Sequence, residues 1–120
     1  MKNKKLLNSF IAAFQGIIFA VRCERNMRLH LATAFVVIVV SMVLQVEKWE
    51  LMFVLSAVFL VLVTEMINTA LERVVDLSTQ KYNHLAHAAK SVAAGAVRFA
   101  AVFAIAVAGL VFGDRFRALW

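Results

Sequence analysis

Residues 29–46, 51–70 and 92–112 form three long apolar runs, almost free of charge. Each approaches the ~20 residues that a helix needs to cross ~30 Å of hydrocarbon. Hydrophobic residues make up 63% of the chain, whereas a soluble domain is nearer half apolar. There is no proline and there are only four glycines, so nothing looks like a linker or a helix break. Thr33 and Ser41 are the hydroxyls of the first run, and their groups can bond back to their own helix. The short stretch 47–50 forces the second run to return antiparallel, and its Trp49 suits the headgroup layer. The expected fold class is all-α: an integral membrane protein with three transmembrane helices and an N-terminal interfacial amphipathic helix. These form a single membrane domain over residues 1–120.

The interfacial helix is read from residues 1–28. Leu6, Leu7, Phe10, Ile11, Phe14, Ile17, Ile18 and Val21 recur at helical spacing, with Lys4, Lys5, Asn8, Ser9 and Gln15 opposite. The apolar part, 6–21, is too short and too interrupted for a span, and no signal-peptide pattern precedes Arg22. Residues 22–28 form a charged joint, with Glu24 the only acid before Glu47. Net charge is +6, but the basic residues flank apolar runs rather than forming a groove-sized patch. They point to a membrane surface and not to nucleic acid. Their bias puts the N-terminus and the second loop on the cytoplasmic side, and residues 47–50 outside. The lone Cys23 has no internal disulfide partner.

The second run ends in a polar pattern. Glu65, Asn68, Glu72 and Asp76 fall at roughly 0, 300, 340 and 20° around a helix, forming one stripe. Met66, Ile67, Ala70, Leu71, Val74 and Val75 keep the rest apolar. A carboxylate at the end of a membrane helix is costly and is usually retained for binding or reaction.

A polar connection is expected over 76–90. Its His84 and His87 lack a further Cys or His close by in sequence for a zinc site. In the third run Ala93, Ala94, Gly95 and Ala96 are small enough for close helix approach. Arg98 within that run either snorkels or pairs with a carboxylate of the second span. The tail 113–120 is amphipathic and interfacial.

Three or four carboxylates, an amide, Lys90 and the N-terminal lysines thus gather at one membrane boundary. No phosphate-cradling glycine loop is present. Carboxylates with lysines suit a magnesium nucleotide, and at headgroup height the acceptor is a lipid alcohol.

The stretch Glu65-Met66-Ile67-Asn68-Thr69-Ala70-Leu71-Glu72-Arg73-Val74-Val75-Asp76 closely resembles the signature of the small prokaryotic diacylglycerol kinases. Glu24-Arg25-Asn26-Met27-Arg28-Leu29-His30 and Ala89-Lys90-Ser91-Val92-Ala93-Ala94-Gly95-Ala96-Val97 resemble the same family, most of all its undecaprenol-phosphorylating branch. Gly16, eight residues before Glu24, fits as well, and the resemblance covers roughly residues 5–112.

The resemblance implies an ATP-dependent lipid kinase in the bacterial inner (cytoplasmic) membrane, with its active site on the cytoplasmic side. It implies a homotrimer whose active sites are shared between subunits, and undecaprenol favoured over diacylglycerol. Carried over by position, Glu65 is the proton acceptor and meets the lipid, with Arg28 also at the lipid. Glu24 and Glu72 hold Mg2+. Lys5, Glu24, Asn68, Glu72, Asp76, Tyr82, Asn83, His84, Lys90 and Ser91 surround ATP.

Two positions depart from the family pattern. Ser91 stands where Asp usually follows the lysine, and Arg98 stands where the pattern is apolar. These changes leave a weak or inactive member as an alternative. The other alternative is a small proton-coupled transporter with Glu65 as relay. That role needs a carboxylate near mid-membrane, whereas Glu65 lies near the end of its run.

Overall fold

A computed structural model describes residues 2–119; Trp120, the end of the expected interfacial tail, lies outside the described residues. The chain forms α1 (Lys2–Cys23), α2 (Arg25–Val43), α3 (Lys48–Ser78) and α4 (His84–Leu119). There is no strand among the described residues.

The joint between α1 and α2 is narrower than the charged stretch 22–28. Only Glu24 leaves helical geometry, at φ −117° and ψ 116°. Arg28 explains the economy. Its Nη1 donates to the carbonyls of Val21 and Arg22 at 2.9 Å each, satisfying acceptors left open where α1 stops. Beyond α2, Gln45 adopts a left-handed φ of 52°, and the amides of Gln45 and Val46 return to the carbonyls of Met42 and Ser41. A reciprocal capping box between Glu47 and Glu50 then starts α3.

The 31 residues of α3 and 36 of α4 correspond to about 46 and 54 Å at 1.5 Å per residue. Both exceed the ~30 Å hydrocarbon layer, so their polar ends project beyond it while remaining helical. The connection expected over 76–90 is therefore only 79–83, where Asn83 Oδ1 accepts from the amides of Leu85 and Ala86 to cap α4. The expected interfacial tail is the continuation of α4 as far as Leu119.

All four helices are long and apolar enough to cross a membrane. Length and composition alone thus count four candidates, where the residue pattern distinguishes three spans and a surface helix. α1 stands apart in being exposed along nearly its whole length.

α3 packs chiefly against α4 and less extensively against α2. Val54, Ala57, Val107 and Val111 make the core, flanked by Val37, Val58 and Ala104. Large apolar side chains point outward, including Phe35 at 70% exposure and Phe99 at 81%. Ser41, Glu50, Glu65, Asn68 and Thr69 are buried instead. That inversion suits lipid as the solvent, where helix hydroxyls bond back to their own carbonyls. Thr33 does so to Leu29, Ser41 to Val37 and Thr64 to Leu60.

Arg98, expected either to snorkel or to pair with a carboxylate of the second span, is exposed and makes no ion pair among the described residues. It donates to the Ala94 carbonyl at 3.4 Å within α4. A methyl group on Gly95 would meet no atom within 4 Å, whereas Ala93 and Ala100 on the same helix are buried.

Candidate functional site

The polar stripe of α3 faces inward at its start and outward at its end. Glu65 is 3% exposed and Asn68 8%, Glu72 is half-buried, and the Asp76 side chain is 53% exposed. About 1.5 Å of rise per residue separates Glu65 from Asp76 by roughly 16 Å. One helix face thus runs from apolar surroundings into water.

The inner end of the stripe is met by residues of the α1–α2 joint. His30 Nε2 lies 3.5 Å from Glu65 Oε2. Glu72 lies two turns further along the same face of α3, and Glu24 sits at the joint from which α2 brings His30 to Glu65. Asn68 Nδ2 donates to Glu72 Oε1 at 3.2 Å. Glu24 accepts from Arg73 at 3.1 Å, and the same guanidinium lies 5.7 Å above the Phe19 ring of α1.

No three His, Cys, Asp or Glu side chains are arranged as a metal site among the described residues. The donor chemistry nevertheless fits Mg2+, which takes hard oxygen ligands. Asn68 Oδ1 is buried without a hydrogen-bond partner, beside the Glu72 carboxylate. Glu24 belongs to the same charge cluster, with its oxygen occupied by Arg73.

The outer end opens into a cleft of about 180 Å3, lined by Asp76, Lys81, Tyr82, Asn83, His87 and Lys90, among others. Lys90 Nζ pairs with Asp76 Oδ1 at 2.5 Å, joining the end of α3 to the start of α4. The Tyr82 ring packs near those of His84 and His87, at centroid distances of 6.0 and 5.8 Å.

An apolar crevice of about 160 Å3 lies between α2, α3 and α4, with His30 and Thr33 toward the polar stripe and Val54 and Val107 deeper. Small side chains, among them Ala34, Ala57 and Ala104, form its walls.

The expected site residues therefore divide into groups. Glu24, Glu65, Asn68 and Glu72 converge, and Asp76, Tyr82, Asn83 and Lys90 line one cleft. Lys5 is exposed on α1, Ser91 is exposed one position past Lys90, His84 touches the cleft only through Tyr82, and Arg28 caps α1. Two participants were not singled out from sequence. They are His30, at Glu65, and Arg73, at Glu24. The only signal available for either was its place within a family-like block.

Comparison with known proteins bears on this geometry. Residues 11–112 match the family model described as prokaryotic diacylglycerol kinase. The chain is 42% identical over 105 residues to a protein named diacylglycerol kinase from Synechocystis sp., covering 87% of this chain. It spans 60% of the length of that relative. It is 37% identical over 110 residues to a protein named undecaprenol kinase from Bacillus subtilis, covering 90% of this chain and 88% of the relative. The matched region contains all three helix joints and the whole polar stripe, and the chain belongs to the prokaryotic diacylglycerol kinase family.

Proposed function

We propose that the protein transfers the γ-phosphate of ATP to the hydroxyl of a membrane lipid alcohol, undecaprenol in preference to diacylglycerol. The observation that carries this reading is the burial gradient along one face of α3. Buried Glu65 lies against His30, which lines an apolar crevice, while Asp76 and Lys90 line a cleft at the exposed end of the stripe. A lipid and a water-soluble phosphate donor can meet only where such environments adjoin.

In this reading ATP lies toward the cleft, where the Lys90 ammonium offsets phosphate charge. The Tyr82, Asn83 and His84 segment borders the base and sugar, and Lys5 approaches the phosphates from α1. Glu24, Glu72 and Asn68 would hold Mg2+, which supplies charge neutralisation at the phosphates when bound. Glu65 orients the lipid hydroxyl and accepts its proton as the new O–P bond forms and the bond to ADP breaks. Much of the catalysis is positioning and electrostatics, as phosphoryl transfer requires.

The preference for undecaprenol draws on the name of the Bacillus subtilis relative and on the two sequence blocks around Glu24 and Lys90. The assembly in this reading is a homotrimer in the inner membrane, with shared active sites on the cytoplasmic face and α1 lying at the interface. The test is transfer of radiolabelled phosphate from ATP by purified protein in bilayers containing either undecaprenol or diacylglycerol. Labelled undecaprenyl phosphate is expected. Labelling of neither lipid would overturn the kinase reading, and faster labelling of diacylglycerol would overturn the preference.

A further inference from the structure

One side chain joins the lipid crevice to the carboxylate stripe. His30 sits in the second turn of α2. Its Nε2 is 3.5 Å from Glu65 Oε2, and its ring lines the end of the crevice nearest the stripe. Glu65 is almost enclosed, and the His30 side chain is 28% exposed. The neighbouring side-chain donors are otherwise engaged. The Thr69 hydroxyl donates to the backbone carbonyl of Glu65, and the Asn68 amide donates to Glu72.

We propose that His30 is a positioning residue for phosphoryl transfer: its Nε2–H holds Glu65 Oε2, so that Oε1 faces a lipid hydroxyl presented at the head of the crevice. This rests on Glu65 as the proton acceptor. The proton of the hydroxyl passes to Oε1, the lipid oxygen bonds to the γ-phosphorus, and the bond from that phosphorus to the ADP oxygen breaks. The contact distance of 3.5 Å exceeds an ordinary hydrogen bond. Catalytic hydrogen bonds are commonly long without substrate and tighten in the complex. An imidazole suits the task because it offers an N–H donor in either charge state. A lysine or arginine would place a permanent cation against the carboxylate and weaken it as a base.

The test uses the full-length protein in undecaprenol-containing bilayers. His30→Ala is expected to lower kcat by about tenfold to a hundredfold, the range seen when a supporting partner of a working ligand is removed. KM for ATP should stay within about twofold, because the contact orients a base and not a nucleotide. His30→Gln, which retains a side-chain N–H donor, should recover most of the loss. His30→Leu keeps bulk without a donor and replaces the alanine variant if that one fails to fold. The double variant His30→Ala/Glu65→Gln should be no slower than Glu65→Gln, because the two act as one unit.

Normal kcat in His30→Ala, with Glu65→Gln inactive, would overturn the role of His30 and leave the base standing. Retained turnover in Glu65→Gln would overturn the base itself. Equal losses in His30→Gln and His30→Ala, with equal drops in melting temperature, would make His30 structural and overturn the inference.

Discussion

Arg73 Nη2 and Glu24 Oε1 lie 3.1 Å apart across 49 residues of sequence, tying the middle of the molecule to the α1–α2 joint. The pair has two consequences. It anchors α1, since the same guanidinium lies over Phe19, and it occupies a carboxylate oxygen that the proposed function assigns to Mg2+.

Replacement of Arg73 by Gln should therefore free Glu24. Arg73 is half exposed, and exposed ion pairs contribute only about 0.2–1 kcal/mol. The expected effect is correspondingly small: the Mg2+ concentration for half-maximal transfer should fall by roughly 1.5- to 5-fold. Titration of activity with Mg2+ at saturating ATP checks this. An unchanged requirement would show that the pair does not compete with the metal.

Glu72→Gln should have a much larger effect, because it removes charge while preserving size and the bond from Asn68. Loss of a metal clamp on phosphates lowers turnover by several orders of magnitude. Folding should persist, since among the described residues the half-buried side chain hydrogen-bonds locally, to Asn68 one turn away. Transfer assays combined with thermal melting in detergent separate the two effects. Turnover within tenfold of the parent would remove Glu72 from the metal site.

The stripe was legible in the sequence because a helix converts spacing into direction without further information. Glu65, Asn68, Glu72 and Asp76 share a face whatever they pack against. The extent of the helices was not legible in the same way. Asp76 to Ser78 and His84 to Lys90 are polar, and polarity was read as a loop. Here it marks helix that has left the hydrocarbon, with Asn83 capping α4 and Lys90 bonded to Asp76. Equally hidden were the contacts of His30 with Glu65 and Arg73 with Glu24. They join positions 35 and 49 residues apart, and depend on where Glu24 breaks the chain, a location composition alone does not give.

Topology gives a third prediction. Single cysteines at positions 4 and 83, introduced after replacement of Cys23, should react with a membrane-impermeant reagent from the cytoplasmic side. A cysteine at 48 should react from the opposite side. Reaction of 48 and 83 from the same side would contradict α3 as a span.

At that opposite end, Arg115 donates to buried Glu50 at 2.5 Å, just outside the apolar run of α3. The hydrogen bond from Arg115, assisted by the Glu47 amide, holds the Glu50 carboxyl below its ordinary value. A group lowered in the folded state stabilises above its unfolded pKa, and that contribution is lost as pH falls through the folded value. Melting temperature should therefore drop as pH falls below the ordinary carboxylate value of 4.5, and Arg115→Ala should both lower it at neutral pH and flatten that dependence. Thermal unfolding in detergent between pH 7 and 3 is the measurement. An unaltered pH profile in the variant would exclude the pair as its source.

Ser91 gives the fifth prediction. It is exposed one position beyond Lys90, where the family pattern carries an aspartate. Lys90 already has one carboxylate partner, Asp76, at 2.5 Å. A second carboxylate could share the ammonium or bind a water held by the nucleotide's metal. Serine supplies only a neutral hydrogen bond, about half as strong as a charge-assisted one. A difference of about 0.5–1 kcal/mol corresponds to roughly a two- to fivefold change in affinity. Ser91→Asp should lower KM for ATP by that factor and leave the choice of lipid unaltered, because Ser91 is exposed and does not line the crevice. An unchanged KM would assign the serine a structural role. A parent protein without transfer activity that Ser91→Asp restores would instead identify an inactive family member, disabled at this one position.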